Sequence, residues 1–205
     1  MLASDNSASA RTASEPRENS GLIALHLGCG KRYIPGFVHV DLADFSHIDY
    51  RRDVADLSIF PDKHADLLYS SHVIEYFDRP QAVVVLKEWY RVLKPGGTLR
   101  LAVPDFEQLI TVYLQNRRLD MILGPLFGRM AIDAPEGRQV IYHKTVYDYA
   151  SLGALLREVG FAHYRRYDWR QTIHREHDDH SQAYIPHMDK DSGLLISLNI
   201  EADRP

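Results

Sequence analysis

The sequence predicts one doubly wound α/β domain, a mostly parallel sheet with helices on both faces. Three observations carry that expectation. Short apolar runs alternate with helix-length amphipathic segments from residue 22 onward. The first run ends on a glycine turn, Gly28-Cys29-Gly30, and the second ends on a carboxylate, Asp41. A chain of 205 residues that is 45% hydrophobic and 25% charged holds enough apolar material for one core and no surplus for a second.

The elements follow in order. Met1 to Ser20 is rich in Ser, Ala, Asn and charge and is expected to be a disordered leader. It lacks the apolar stretch of a signal peptide, and Asp5, Glu15 and Glu18 argue against a transit peptide. Residues 21–205 form the domain. Leu22 to Leu27 is a buried strand, Phe37 to Val40 a second ending at Asp41, Ala65 to Ser70 another, and Leu99 to Val103 a fourth closed by Pro104. Between the last two, Asp78 caps a helix over 81–93 with Pro80 in its first turn, and Lys94-Pro95-Gly96-Gly97 stops it. Residues 104–144 read as an insertion over the sheet edge, with turns at Gly124-Pro125 and Pro135-Glu136-Gly137. A helix over 145–159 starts with a Thr145/Asp148 capping box and ends at Gly160; apolar positions 146, 149, 152, 155, 156 and 159 form its core stripe. Alternation from Leu194 to Glu201 predicts a final strand.

Composition excludes several functions. A net charge of -4 gives no footprint for nucleic acid. No run approaches the ~20 apolar residues of a membrane span. The single cysteine, Cys29, rules out an internal disulfide and fits a reducing, cytoplasmic setting.

Ligands of doubly wound sheets bind at the carboxyl ends of the strands, where Gly28-Cys29-Gly30 follows the first strand. Asp41, ending the second, can accept hydrogen bonds from both hydroxyls of a ribose. A nicotinamide-dependent oxidoreductase would want a third glycine where Tyr33 stands, and a helix between these strands to hold a pyrophosphate. That reading therefore falls behind.

Leu25-His26-Leu27-Gly28-Cys29-Gly30, with Pro35-Gly36-Phe37-Val38-His39-Val40-Asp41, resembles the opening of class I S-adenosylmethionine-dependent methyltransferases, and most closely the small type 11-like group. Asp53-Val54-Ala55-Asp56-Leu57 is similar to the family's adenine-contact segment. Residues 65–76 resemble its fourth-strand motif, and Arg91-Val92-Leu93-Lys94-Pro95-Gly96-Gly97 resembles the turn before its fifth strand. The resemblance covers 22 to about 106 in family order. It implies a Rossmann-like, seven-stranded sheet whose last strand is antiparallel, with S-adenosylmethionine as cofactor and S-adenosylhomocysteine as product. It implies that Gly28 and Gly30 line the methionine portion and that Asp41, followed by Leu42, meets the ribose. Asp53 and the backbone at Val54 would then meet the adenine, and Ser70 or Ser71 the amino acid end. Two departures stand out: His26 replaces a frequent acid, and Lys31-Arg32 replace the small residue expected after Gly30.

The sulfonium already activates the methyl group, so alignment is the protein's main task. A hydroxyl acceptor gains from a base, and His is the usual one. Among 11 histidines, His72 (just past a strand end, three residues before Glu75) and His143 (before the capped helix) are the candidates. His174, His177 and His180 invite a metal reading, but the run 171–181 is polar and matches no metal motif. It reads as a hydrated loop, and no metal is expected. Residues 179–187, with Tyr164, Tyr167 and Trp169, could form an aromatic wall for an acceptor or pack as an ordinary lid. The expected partner is a small molecule; the family likeness suggests a sugar or polysaccharide-pathway hydroxyl. The alternative is a binding module that holds the cofactor without transferring its methyl group.

Overall fold

The computed structural model describes residues 21–134 and 137–205; the expected leader at 1–20 and Pro135-Glu136 of the expected turn lie outside them. Four parallel strands come first: β1 (Ala24–Leu27), β2 (Phe37–Asp41), β3 (Tyr50–Arg51) and β4 (Ala65–Ser71). Helix α1 (Arg79–Val92) leads into β5 (Leu93–Pro104), followed by α2 (Phe106–Asn116), α3 (Asp120–Phe127) and the hairpin β6 (Met130–Ala134) to β7 (Gly137–Ile141). Helix α4 (Tyr149–Val159) and β8 (Ala162–Arg166) precede a small pair, β9 (Tyr184–Ile185) and β10 (Leu194–Leu195), and the last strand is β11 (Ser197–Asp203). The main sheet has seven strands in the order β3-β2-β1-β4-β5-β11-β8, with β11 antiparallel to both neighbours. That is the sheet the family resemblance implied.

The helix termini follow local chemistry. Asp78 accepts from the Gln81 amide while the Gln81 side chain accepts from Asp78 N–H, a reciprocal box that fixes the start of α1. The start of α4 differs from expectation: Asp148 is itself the cap, paired with Ser151, so the helix begins a turn later and Val146 lies outside it. Gly124-Pro125 is not a turn but sits inside α3, which closes instead at Gly128, whose N–H bonds the Gly124 carbonyl. Lys94-Pro95-Gly96-Gly97 does end α1, yet runs extended into β5, because Gly96 N–H and Gly97 C=O pair with the backbone of Arg204.

The sheet has two unlike faces. On one, Leu25, Leu27, Val40, Leu68, Leu99, Leu101, Val103, Leu198 and Ile200 meet α1 and α4 in a single apolar core around Trp89. Trp89 is wholly buried and donates its indole N–H to the Val54 carbonyl. On the other face the polar or amphipathic side chains His26, His39, Tyr69, Arg100, Ser197 and Asn199 share the surface with a smaller apolar cluster of Ala24, Phe37 and Leu67. No helix joins β1 to β2 there. Nine residues, 28–36, make the crossover, enough reach at about 3.3 Å per residue to run back along a five-residue strand. The cover comes from the connection between β8 and β11. Thr172, His174, Asp179, Ser181 and Gln182 are buried there, so the hydrated loop expected at 171–181 is instead a packed lid. Tyr69 donates to Asp179, and His174 stacks 4.2 Å from the Tyr69 ring.

Candidate active site

The carboxyl ends of β1, β2 and β4 converge as the glycine turn requires. Gly30 N–H donates to Asp41 Oδ2 (2.7 Å) and Gly28 N–H to the Val40 carbonyl (2.8 Å), so the turn and the acid form one unit. Ala43 N–H donates to Asp41 Oδ1 (2.7 Å). Each oxygen of the carboxylate thus takes one backbone donor and keeps capacity for another.

The two glycines differ. Both hold positive φ, +68° at Gly28 and +52° at Gly30. A Cβ at Gly28 would lie 2.3 Å from Val73 Cγ2, so the close approach that this glycine permits is to Val73. A Cβ at Gly30 would meet nothing within 4 Å; its α-carbon opens on unfilled space beside Asp41. Leu42 follows at the rim and passes its carbonyl to Arg51 Nε. Asp53 is exposed, with Oδ1 accepting from Ala55 N–H; Val54 beside it is buried. Ser70 and Ser71 end β4 differently. Ser70 Oγ donates to the Leu27 carbonyl, tying β4 to β1, whereas Ser71 Oγ is buried without a hydrogen-bond partner among the described residues.

His26 points instead to the polar face of the sheet. It is 2% exposed beneath the polar face, among His39, Tyr69 and Phe37. Burial, reinforced by His39 and His174, pushes its imidazole well below the usual histidine range, so it is neutral. His174, His177 and His180 do not converge: His174 packs on Tyr69, and His180 lies 5.0 Å from the His72 ring. Trp169 and Tyr184 join under the lid through a 3.3 Å hydrogen bond, and Tyr167 is half-buried beside Arg100, while Tyr164 belongs to the α4 side against Gly153. Those four aromatics therefore form no single wall.

His72 and His143, far apart in sequence, come together around Glu75. His72 Nδ1 lies 3.6 Å and His143 Nε2 3.7 Å from the same oxygen, Glu75 Oε1. Glu75 is 1% exposed, and neither carboxyl oxygen has a hydrogen-bond partner among the described residues. Burial raises its carboxyl to about 8, so it is protonated at neutral pH. Burial lowers both imidazoles, which are neutral. Sequence spacing sets Glu75 three residues from His72 but carries no sign of its burial. The expected insertion supplies His143 from above: His143 N–H bonds the Phe127 carbonyl and Lys144 N–H the Glu75 carbonyl.

A family profile described as "Methyltransferase domain" matches residues 39–101. No curated protein matches the chain. Among solved structures, an S-adenosylmethionine-dependent methyltransferase of Thermotoga maritima aligns at 16% identity and TM-score 0.55, over 89% of this chain and 82% of that one. One from Mesorhizobium loti aligns at 18% and 0.50, over 90% and 91%. The 1,6-didemethyltoxoflavin-N1-methyltransferase of Burkholderia thailandensis, solved with S-adenosylhomocysteine, aligns at 13% and 0.50, over 89% and 70%. At these identities the likeness is one of fold.

Proposed function

We propose that this chain is a class I S-adenosylmethionine-dependent methyltransferase that methylates a hydroxyl of a small molecule, with sugar hydroxyls the acceptor class favoured by family likeness; the matching methyltransferase profile and the shared fold support this reading. The observation that carries this reading is the joined pair of Gly30 and Asp41, a bare backbone opening beside a carboxylate with spare acceptor capacity. That pair fits a nucleoside sulfonium: the ribose hydroxyls find the carboxylate, and no phosphate needs a helix N-terminus. Gly28 and Gly30 would hold the methionine portion, Asp41 and Leu42 the ribose, Asp53 and Val54 the adenine, and Ser71, with Ser70 behind it, the amino acid end.

S-adenosylmethionine, when bound, supplies a methyl group already activated by its sulfonium. Transfer to a hydroxyl would require its proton to be taken up by a neighbouring base. His72 and His143, each with one unprotonated nitrogen at the same sheet edge, are the bases assigned to take it. The cytoplasm is the compartment we assign, on the single cysteine, Cys29, which is buried and leaves no internal disulfide to be formed. No helix among the described residues is long and apolar enough to cross a membrane.

Isothermal calorimetry with S-adenosylhomocysteine tests the reading. Asp41→Ala is expected to weaken binding by about 1–3 kcal/mol, roughly 5- to 150-fold, through loss of charge-assisted hydrogen bonds. Unchanged affinity removes Asp41 from the site. Binding of a nicotinamide dinucleotide with none of S-adenosylhomocysteine overturns the function altogether.

A further inference from the structure

The hydrogen atoms around Glu75 can be assigned by following donors along a chain of bonds. Asn199 Nδ2 donates to the Ser181 carbonyl (2.8 Å), so its Oδ1 is the acceptor for Ser197 Oγ–H (3.0 Å). With its one proton spent, Ser197 Oγ accepts from His72 Nε2–H (3.3 Å). A neutral His72 therefore keeps its lone pair on Nδ1, the nitrogen facing Glu75. His143 reaches the same state by another route. Its Nδ1 lies 3.0 Å from the Pro125 carbonyl, which only accepts, so Nδ1 carries the proton and Nε2 the lone pair. Two lone pairs thus point at one carboxyl oxygen, Oε1. An ionised carboxylate there would leave three acceptors facing one another with no donor, on a carboxyl that is itself 1% exposed.

We propose that Glu75 is a positioning residue that stays a neutral acid and offers its one hydroxyl to His72 Nδ1 or His143 Nε2 in turn, each imidazole closing a short gap from 3.6 or 3.7 Å to accept it, so that one is held while the other keeps a free basic nitrogen. The group also joins the two covers of the sheet edge. His143 belongs to the insertion, pinned further by Tyr76 Oη donating to the Gly128 carbonyl (2.7 Å), and His72 reaches the lid through Ser197 and Asn199. The other groups facing the cluster are the Tyr76 ring (4.6 Å from His143), the His180 ring, and the buried Tyr147 hydroxyl, whose ring lies beneath the Arg79 guanidinium at 4.7 Å. Among the described residues, the ion-pair distances of Glu75 are to the two imidazoles alone. The link to methyl transfer rests on the function proposed above; the proton assignment does not.

Long-range proton–nitrogen NMR of the imidazoles in the full, ¹⁵N-labelled chain tests it, taken from pH 6 to 9.5 without cofactor or acceptor. At pH 7 the expected tautomers are Nε2–H for His72 and Nδ1–H for His143, both rings neutral. Both ring signals should shift together in one step as Glu75 ionises near pH 8. Glu75→Gln keeps a donor amide in place at every pH, so both tautomers persist and the step disappears. An Nδ1–H tautomer at His72, a cationic ring at pH 7, or a step that survives in Glu75→Gln overturns the proposal. Should that variant fail to fold, the carboxyl ¹³C signal of Glu75 in the wild-type chain decides the same question: titration near 8 supports the assignment, and an already ionised group at pH 6 sinks it. Calorimetry with S-adenosylhomocysteine on the same sample separates this outcome from failure of the methyltransferase reading.

Discussion

The two faces of the sheet solve the same burial problem with opposite chemistry. Toward α1 and α4, leucines and valines from five strands close on Trp89, and stability there comes from apolar area removed from water, about 25 cal/mol per Å². Toward the lid, His26, His39, Tyr69 and Asn199 are equally inaccessible, yet each must find a partner or stay neutral. Covering strands with a loop instead of helices brings backbone carbonyls and polar side chains onto the sheet. The apolar face can be indifferent to pH; the polar face cannot.

The largest expected effect lies on the apolar face. Trp89→Ala should cost about 3–5 kcal/mol in denaturant unfolding at any pH from 6 to 8, through the void left and the unbonded Val54 carbonyl. A loss under about 1 kcal/mol would show that this core repacks freely and is not the anchor of the fold. The next effect belongs to the polar face. Burial lowers His174 from 6.5 to about 3, so the folded state binds fewer protons than the unfolded chain below pH 6.5. The associated stability is complete above 6.5 and drains as pH falls; by pH 5 His174 alone accounts for about 2 kcal/mol. His26 and His72 are shifted in the same direction and add to the loss. Glu75 opposes them, since a raised carboxyl gives stability at low pH that is lost as pH climbs from about 4.5 to 8. His174→Phe isolates one contribution: the difference between its stability and that of the wild type should change by about 2 kcal/mol between pH 7 and 5. Parallel pH profiles would place His174 in water. Tyr69→Phe, the smallest change, should cost about 1–2 kcal/mol near neutrality by leaving the Asp179 carboxylate with the Ser181 amide as its remaining donor. No cost there would mean the lid is held by its aromatic packing.

The same contrast explains what the sequence discloses. Apolar runs such as Leu25–Leu27 and the capping residue Asp78 act locally, so five of the seven main-sheet strands, α1 and the glycine turn are legible, as is the pairing of Asp41 with that turn, whereas the short, exposed β3 and β8 are not. The lid reads wrongly as a hydrated loop because 171–181 is polar by composition, and only its distant partners Tyr69 and Asn199 make it a packed element. A signal is nevertheless present: His26 and Tyr69 interrupt otherwise apolar strands at positions that share one face. His72 and His143 can be named from strand ends and helix starts, but their meeting at Glu75 depends on how the insertion folds back, which no local pattern encodes.

The place of β11 has a consequence for how the chain is made. It comes last in sequence yet lies between β5 and β8, and Arg100 meets Glu201 across 101 residues. Until that segment has left the ribosome, β5 and β8 are neighbours without a bridge, and Leu101 and Val103 lack the cover that Leu198 and Ile200 provide. Assembly of this half of the sheet must therefore wait until residues 197–203 have been made, and a nascent chain stalled before residue 197 presents two open strand edges for which chaperones and stray β-segments would compete.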